Sequence, residues 1–344
     1  MAREVYASGA LRASGILGHN GTSRAVVLAT DHRYFGMHRG TEGFAEILPA
    51  LIPYCDAFMT SQGILKYECV RQALEENITP IILRASGCVN IASRRKSPAD
   101  QLLVKAAYKT VAGGDFDQIY KESERDEKIS ATSRAHLEKM KRLLNEDDTE
   151  ADERLIMTAE QATKVHSLVK AVAVSVHIGS RYETPTLHEL TRMVTQAYER
   201  NRQGSSLAVL GVDAVGKELE ERSNDADRLA QSVCLIAEHG ADFVKTYLPE
   251  EGAEKVLSAC PVPVGMAGAK MPAGDVDPIR STLEITARAM DAGYQFIDMG
   301  RRIWLDKNPV AAIRSVKALV KGGNSVDDSY KLYLETTRYS ETTK

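Results

Sequence analysis

The chain has 344 residues, 43% hydrophobic and 26% charged, enough to bury the core of one large α/β domain or two ordinary ones. Its net charge of -3 supplies no basic field, which argues against a nucleic-acid partner. Its longest apolar runs, such as Ala171 to Val176, are too short to span a bilayer, and M-A-R-E-V-Y-A-S at the start holds no continuous apolar signal region, so cytoplasmic residence off the membrane is expected.

Residues 1–24 are polar with scattered glycines and read as an irregular arm. R-A-V-V-L-A-T-D-H (24–32) then has the unbroken apolar centre of a parallel strand buried on both faces. A helix from about Thr41 to Leu51 follows. The pattern repeats with a strand at Asp56–Thr60 and a helix from about Ile64 to Glu76. Further strands are expected at Thr79–Arg84, Val169–His177 and Ser206–Val212. Between the last two, a helix starts near Pro185, because proline suits a first turn. A helix over Asp225–His239 leads to the sixth strand, A-D-F-V-K-T (241–246). Strands at Pro261–Gly268 and Tyr294–Gly300 complete eight. The helix at Pro309–Lys321 stops at Gly322-Gly323, and a last helix covers about Val326 to Glu335.

Eight strand-then-helix units predict a closed TIM (β/α)₈ barrel, one domain over 1–344. No G-x-G-x-x-G follows the first strand, which argues against a dinucleotide fold. The rhythm breaks once, between the third and fourth strands, where 93–155 reads as a helical insertion. It opens on basic S-R-R-K-S-P, holds helices near Ala99–Val111 and Ser130–Asn145, and closes on acidic E-D-D-T-E-A-D-E. A lid, an oligomer contact and a solvated decoration are all compatible with that composition.

The C-terminal ends of barrel strands converge on one mouth. There the reading places Asp31, His32, Arg84, Ser86, His177, Asp213, Lys245, Gly268, Ala269, Gly300 and Arg301. Lys245 is the central candidate, although its own stretch also fits a strand-end lysine that reaches solvent or pairs with a carboxylate. An ammonium in an apolar strand is costly to bury, and the same burial turns an amine into a nucleophile toward carbonyls. Asp31 is placed to move protons beside it. His177 is either a site residue or a strand-end surface histidine. A-G-A-K after strand seven and M-G-R-R after strand eight predict a phosphate site from Gly268, Ala269, Gly300 and Arg301, because backbone approaches an anion closely only where side chains are small. Asp31, His32, His177 and Glu183 are of the types that ligate divalent ions, but no His-x-His or H-E-x-x-H spacing supports such a site, and no bound metal is expected. The five cysteines are odd in number with no C-x-x-C, against a disulfide framework or structural zinc.

The motifs A-T-D-H-R-Y-F-G (29–36), I-L-R-A-S-G (82–87), V-x-I-G-S-x-Y-E (176–183), V-K-T-Y (244–247), C-P-V-P (260–263) and D-M-G-R-R-I-W (298–304) resemble the archaeal-type class I fructose-bisphosphate aldolase family. Its closest branch is the thiolase acting on phosphorylated autoinducer-2. The resemblance implies a (β/α)₈ barrel assembled as a homo-oligomer, with rings of ten subunits known in the family. It implies that Lys245 is the Schiff-base lysine, that Asp31 is the aspartate after strand one, and that Gly268, Ala269, Gly300 and Arg301 hold phosphate. The family's aldolases carry a tyrosine acid after strand five. Here the segment reads G-V-D-A-V-G-K (211–217), which leaves Asp213 and Lys217 as secondary candidates.

The expected activity is therefore Schiff-base carbon–carbon cleavage of a small phosphorylated ketose or diketone. The thiolase version acts on 3-hydroxy-5-phosphonooxypentane-2,4-dione with coenzyme A as co-substrate and no bound cofactor. The alternatives are a lysine-dependent sugar-phosphate aldolase such as fructose-bisphosphate aldolase, a metal-dependent aldolase, and a non-catalytic phosphate-sugar-binding barrel.

Overall fold

Eight short apolar segments close into one parallel barrel in a computed structural model of the chain, which describes residues 8–17, 24–31, 43–88, 153–215, 222–268 and 277–342. The strands are β1 (Ala25–Ala29), β2 (Ala57–Thr60), β3 (Ile81–Arg84), β4 (Val169–Ile178), β5 (Ala208–Val215), β6 (Phe243–Thr246), β7 (Val264–Ala267) and β8 (Phe296–Met299). Each pairs in parallel with its sequence neighbour, and β1 closes the ring against β8. Both faces of these strands are covered, which explains their unbroken apolar runs.

A repeated device sets the lower rim. The polar residue before one strand accepts a hydrogen bond from the first backbone N–H groups of the strand beside it. Asp56 takes Val26 N at 2.8 Å, Asp242 takes Val209 N at 2.7 Å, and Gln295 takes Val264 N at 2.9 Å. Edge donors that the ladder leaves over are satisfied in this way, and the register of three strand pairs is pinned.

The barrel interior is sealed from below by the amino-terminal segment. Residues expected to form an irregular arm instead hold helix α1 (Gly9–Ser14), whose first turn is capped by the Ser8 hydroxyl accepting from Leu11 N at 3.1 Å. Leu11, Ile16 and Leu17 are buried and pack with the inward residues Ala25, Val27, Ala57, Met59, Ile82, Ala171, Ala173, Ala208, Leu210, Phe243 and Phe296. Three large apolar side chains in an otherwise polar stretch were the available signal.

Among the described residues the remaining α-helices are α2 (Phe44–Leu51), α3 (Glu68–Asn77), α4 (Ala159–Val165), α5 (Glu183–Arg202), α6 (Ala226–Glu238), α7 (Ala253–Ser258), α8 (Pro278–Ala292), α9 (Arg301–Trp304), α10 (Pro309–Gly322) and α11 (Val326–Thr342). Their buried stripes and the outward strand residues form the second, larger core. Proline opens α8 and α10, behind the side-chain caps Asp277 and Asn308, and Gly323 ends α10 with a positive φ of 68°. No helix among the described residues is long and apolar enough to cross a membrane.

By its contacts the chain divides into Met1–Cys88 with Asp152–Lys344, and Val89–Ala151. The two helices expected near Ala99–Val111 and Ser130–Asn145 lie outside the described residues. The far end of the expected insertion belongs to the barrel unit: Glu153–Leu155 returns as an antiparallel strand against Ser86–Cys88, directly above β3.

One glycine is dictated by the inner packing. Gly265 stands beside both Lys245 and Phe296 in the ladder, and a Cβ there would lie 2.0 Å from Phe296 Cε2. The Phe296 ring occupies that space and meets Phe243 edge-on, with centroids 5.6 Å apart. Gly265→Ala is expected to destabilise the fold by about 1–3 kcal/mol through overpacking. Combining it with Phe296→Leu should return part of that loss in chemical unfolding. An unchanged midpoint for the single variant would contradict this packing.

Candidate active site

Lys245 lies on β6 opposite Val212 and Gly265, the inward positions of β5 and β7. Its side chain therefore points into the barrel, above the Phe243–Phe296 floor. It is 13% exposed, and its Nζ is 2.9 Å from Oδ1 of Asp298, which is fully buried on β8. Met59 Sδ stands 3.8 Å from the same nitrogen. Among the described residues no donor makes a well-aligned hydrogen bond to either Asp298 oxygen. The ion pair with Lys245 is thus what compensates this carboxylate's burial. Burial pushes the Asp298 carboxyl up to about 6; Lys245 pulls it down, and the neighbouring Asp31 pushes it further up.

A second buried cluster sits beside this pair. Arg84, at the end of β3, reaches Asp31 Oδ2 at 3.0 Å and Glu153 Oε2 at 2.7 Å, and donates to Ser175 Oγ on β4. Its Nε donates to Ser86 O at 3.1 Å. Ser86 Oγ donates to Glu153 Oε2 at 2.8 Å and accepts from Ser175 N at 3.0 Å. On its other side Glu153 meets His177 Nε2 at 3.0 Å. Burial opposes ionisation of Glu153, yet the Arg84 guanidinium and His177 hold its carboxyl well below the usual carboxylate range. A chain Asp31–Arg84–Glu153–His177 thus runs across one side of the mouth, anchored by the strand that returns from the insertion.

Four sequence candidates therefore share one end of the barrel: Lys245, Asp31, His177 and Arg84. Asp213 does not join them. It follows Val212 on β5 and so takes the opposite face, toward α6. There Arg228 grips it through both oxygens at 3.0 and 3.1 Å, and Thr246 Oγ1 donates to it at 2.6 Å. It is a fully paired group of the barrel–helix layer rather than a neighbour of the lysine. Lys217, Ala269 and His32 lie outside the described residues. Glu183 accepts from Gly179 N at 2.7 Å, tying the turn that leads into α5.

The two glycine turns adjoin. Gly268 N donates to Asp298 O at 3.0 Å, and a Cβ on Gly268 would stand 3.1 Å from Met299 Cγ. At Gly300 a Cβ would lie 2.4 Å from Ala29 O and 2.9 Å from Trp304 Nε1, which donates to that same carbonyl at 3.1 Å. Only glycine fits there. Arg301 is half-buried, and its charge reaches Tyr247, just beyond β6. Arg302 is turned away, toward Ser281 and Thr282 on α8.

Two residues of this cluster are not singled out by the sequence. Asp298 begins the motif that drew attention only to its glycine and arginine. Its signal was parity: it stands two residues beyond Phe296, and both face inward. Glu153 closes an acidic run that reads as a solvated face, and no local pattern marks it.

No family model matches the chain. In sequence it is similar to the 3-hydroxy-5-phosphonooxypentane-2,4-dione thiolase of Shigella flexneri, 29% identical over 314 residues that cover 91% of this chain and 94% of the relative. An uncharacterized aldolase of Pasteurella multocida is 27% identical over 315 residues, 91% of this chain and 83% of that protein. In structure it is similar to an archaeal fructose-1,6-bisphosphate aldolase solved with its catalytic lysine covalently bound to the carbinolamine intermediate. The TM-score is 0.58 at 17% identity, covering 88% of this chain and 95% of that one, a likeness of fold. These findings bear out the resemblance carried by the motifs.

Proposed function

We propose that this chain, a relative of the 3-hydroxy-5-phosphonooxypentane-2,4-dione thiolases, is a Schiff-base-forming enzyme that cleaves a carbon–carbon bond in that phosphorylated diketone and passes the acyl fragment to coenzyme A. The observation that carries the reading is the Lys245 amine, held inside the barrel mouth 2.9 Å from a buried carboxylate.

The amine condenses with the carbonyl nearest the phosphate and releases water, leaving an iminium. The coenzyme A thiolate adds to the acetyl carbonyl. The bond between that carbonyl carbon and the hydroxyl-bearing carbon then breaks, and its electron pair flows into the iminium to give an enamine. Protonation of the enamine carbon and hydrolysis return the lysine and a three-carbon phosphorylated hydroxyketone. Asp31, fixed by Arg84, moves the proton at the reacting carbon. His177, pinned by Glu153, serves at the mouth as the acid that a tyrosine supplies in the aldolases. The turns at Gly268–Ala269 and Gly300–Arg301 hold the phosphate, with Arg301 adding charge. Asp213, held by Arg228 and Thr246, carries no step in this scheme.

The substrate incubated with and without coenzyme A decides the reaction type. The expected result is a thioester product formed only when coenzyme A is present. Cleavage of fructose 1,6-bisphosphate at a comparable rate without coenzyme A would replace this reading with the sugar-phosphate aldolase.

A further inference from the structure

We infer that Asp298 is the acid–base residue of imine formation, the group that takes the proton from Lys245 and later returns it to the departing oxygen. The inference rests on the Schiff-base reading above and assigns a residue that reading leaves without a role. Its ground is geometric. Asp298 is fully buried, it contacts the Lys245 ammonium at 2.9 Å, and neither of its oxygens has a well-aligned donor among the described residues. A carboxylate kept only for structure would be expected to use such donors, as Asp213 does with Arg228 and Thr246. The Asp298 pair instead stands at the floor of the mouth.

The step balances. Asp298 carboxylate takes one proton from the Lys245 ammonium, giving a neutral amine and a carboxylic acid. The amine adds to the ketone, and its remaining excess proton moves to the new oxygen, forming the carbinolamine. Asp298 then protonates that hydroxyl, water leaves, the iminium forms, and the carboxylate is restored. The charged groups facing Asp298 are Lys245 from β6, Asp31 from the end of β1 and Arg84 from β3. Burial with the Asp31 charge beside it brings this carboxyl up to about 6, where it can both take and give a proton at neutral pH.

Single-turnover borohydride trapping with dihydroxyacetone phosphate tests this on the wild type and Asp298→Asn. The two possible roles predict opposite signs. Without the carboxylate's charge the ammonium loses its proton more easily. If Asp298 were only a counter-ion, Asp298→Asn would therefore trap as fast as wild type or faster, with its pH limb moved down. If Asp298 carries the proton, trapping slows by about 10²-fold or more across pH 5–8, and the limb near 6 disappears. Should Asp298→Asn not fold, the wild type alone decides. Its trapping rate is expected to rise through a limb near 6, and a rate flat across that range would overturn the inference. Wild type that fails to trap at any pH would instead bring down the Schiff-base reading itself.

Discussion

Lys245→Met is expected to abolish the carbon–carbon cleavage, lowering kcat/KM by about 10⁴-fold or more, while leaving a folded barrel. Methionine keeps the length of the side chain but has no nucleophile. The variant leaves Asp298 without its cation. A carboxyl already raised to about 6 then answers by holding its proton, so the buried charge disappears instead of disrupting the core. Steady-state kinetics, with circular dichroism and denaturant unfolding as controls, check both halves of the expectation. Activity within about tenfold of wild type would remove Lys245 from the chemistry.

Arg84→Met is expected to cause a large loss of stability, about 3–5 kcal/mol, because it strips the shared cation from two buried carboxylates at once. Arg84 is 3% exposed and binds Asp31 and Glu153 at 3.0 and 2.7 Å, with Asp298 nearby as a third buried acid. Lysine is a poor replacement, since a point charge cannot span both partners and the Ser86 carbonyl. Adding Glu153→Gln to Arg84→Met should recover part of the loss, a coupling that a double-mutant cycle measures directly. A loss under about 1 kcal/mol would mean that the cluster contributes little to the fold. Activity should fall with stability, because Asp31 loses the group that orients it.

The barrel was readable because each strand is an apolar run ended by turn residues, and that periodicity survives without any knowledge of contacts. Lys245, Asp31 and His177 were readable as strand-end residues for the same reason. What stayed hidden depends on orientation or on distance along the chain. Val212 and Asp213 are sequence neighbours, yet one faces the lumen and the other Arg228; only the register of β5 against β6 separates them. Glu153 acquires its place by pairing with Ser86–Cys88 across the insertion, a contact that no local composition encodes. The amino-terminal plug was missed because a helix of 6 residues is too short for periodicity to show.

The most direct test of the covalent lysine is reduction of the wild-type protein with borohydride in the presence of the phosphorylated ketone, followed by peptide mass mapping. The account predicts one adduct, on the peptide that carries Lys245. An adduct on another lysine, or cleavage activity that continues undiminished with no adduct formed, would contradict it.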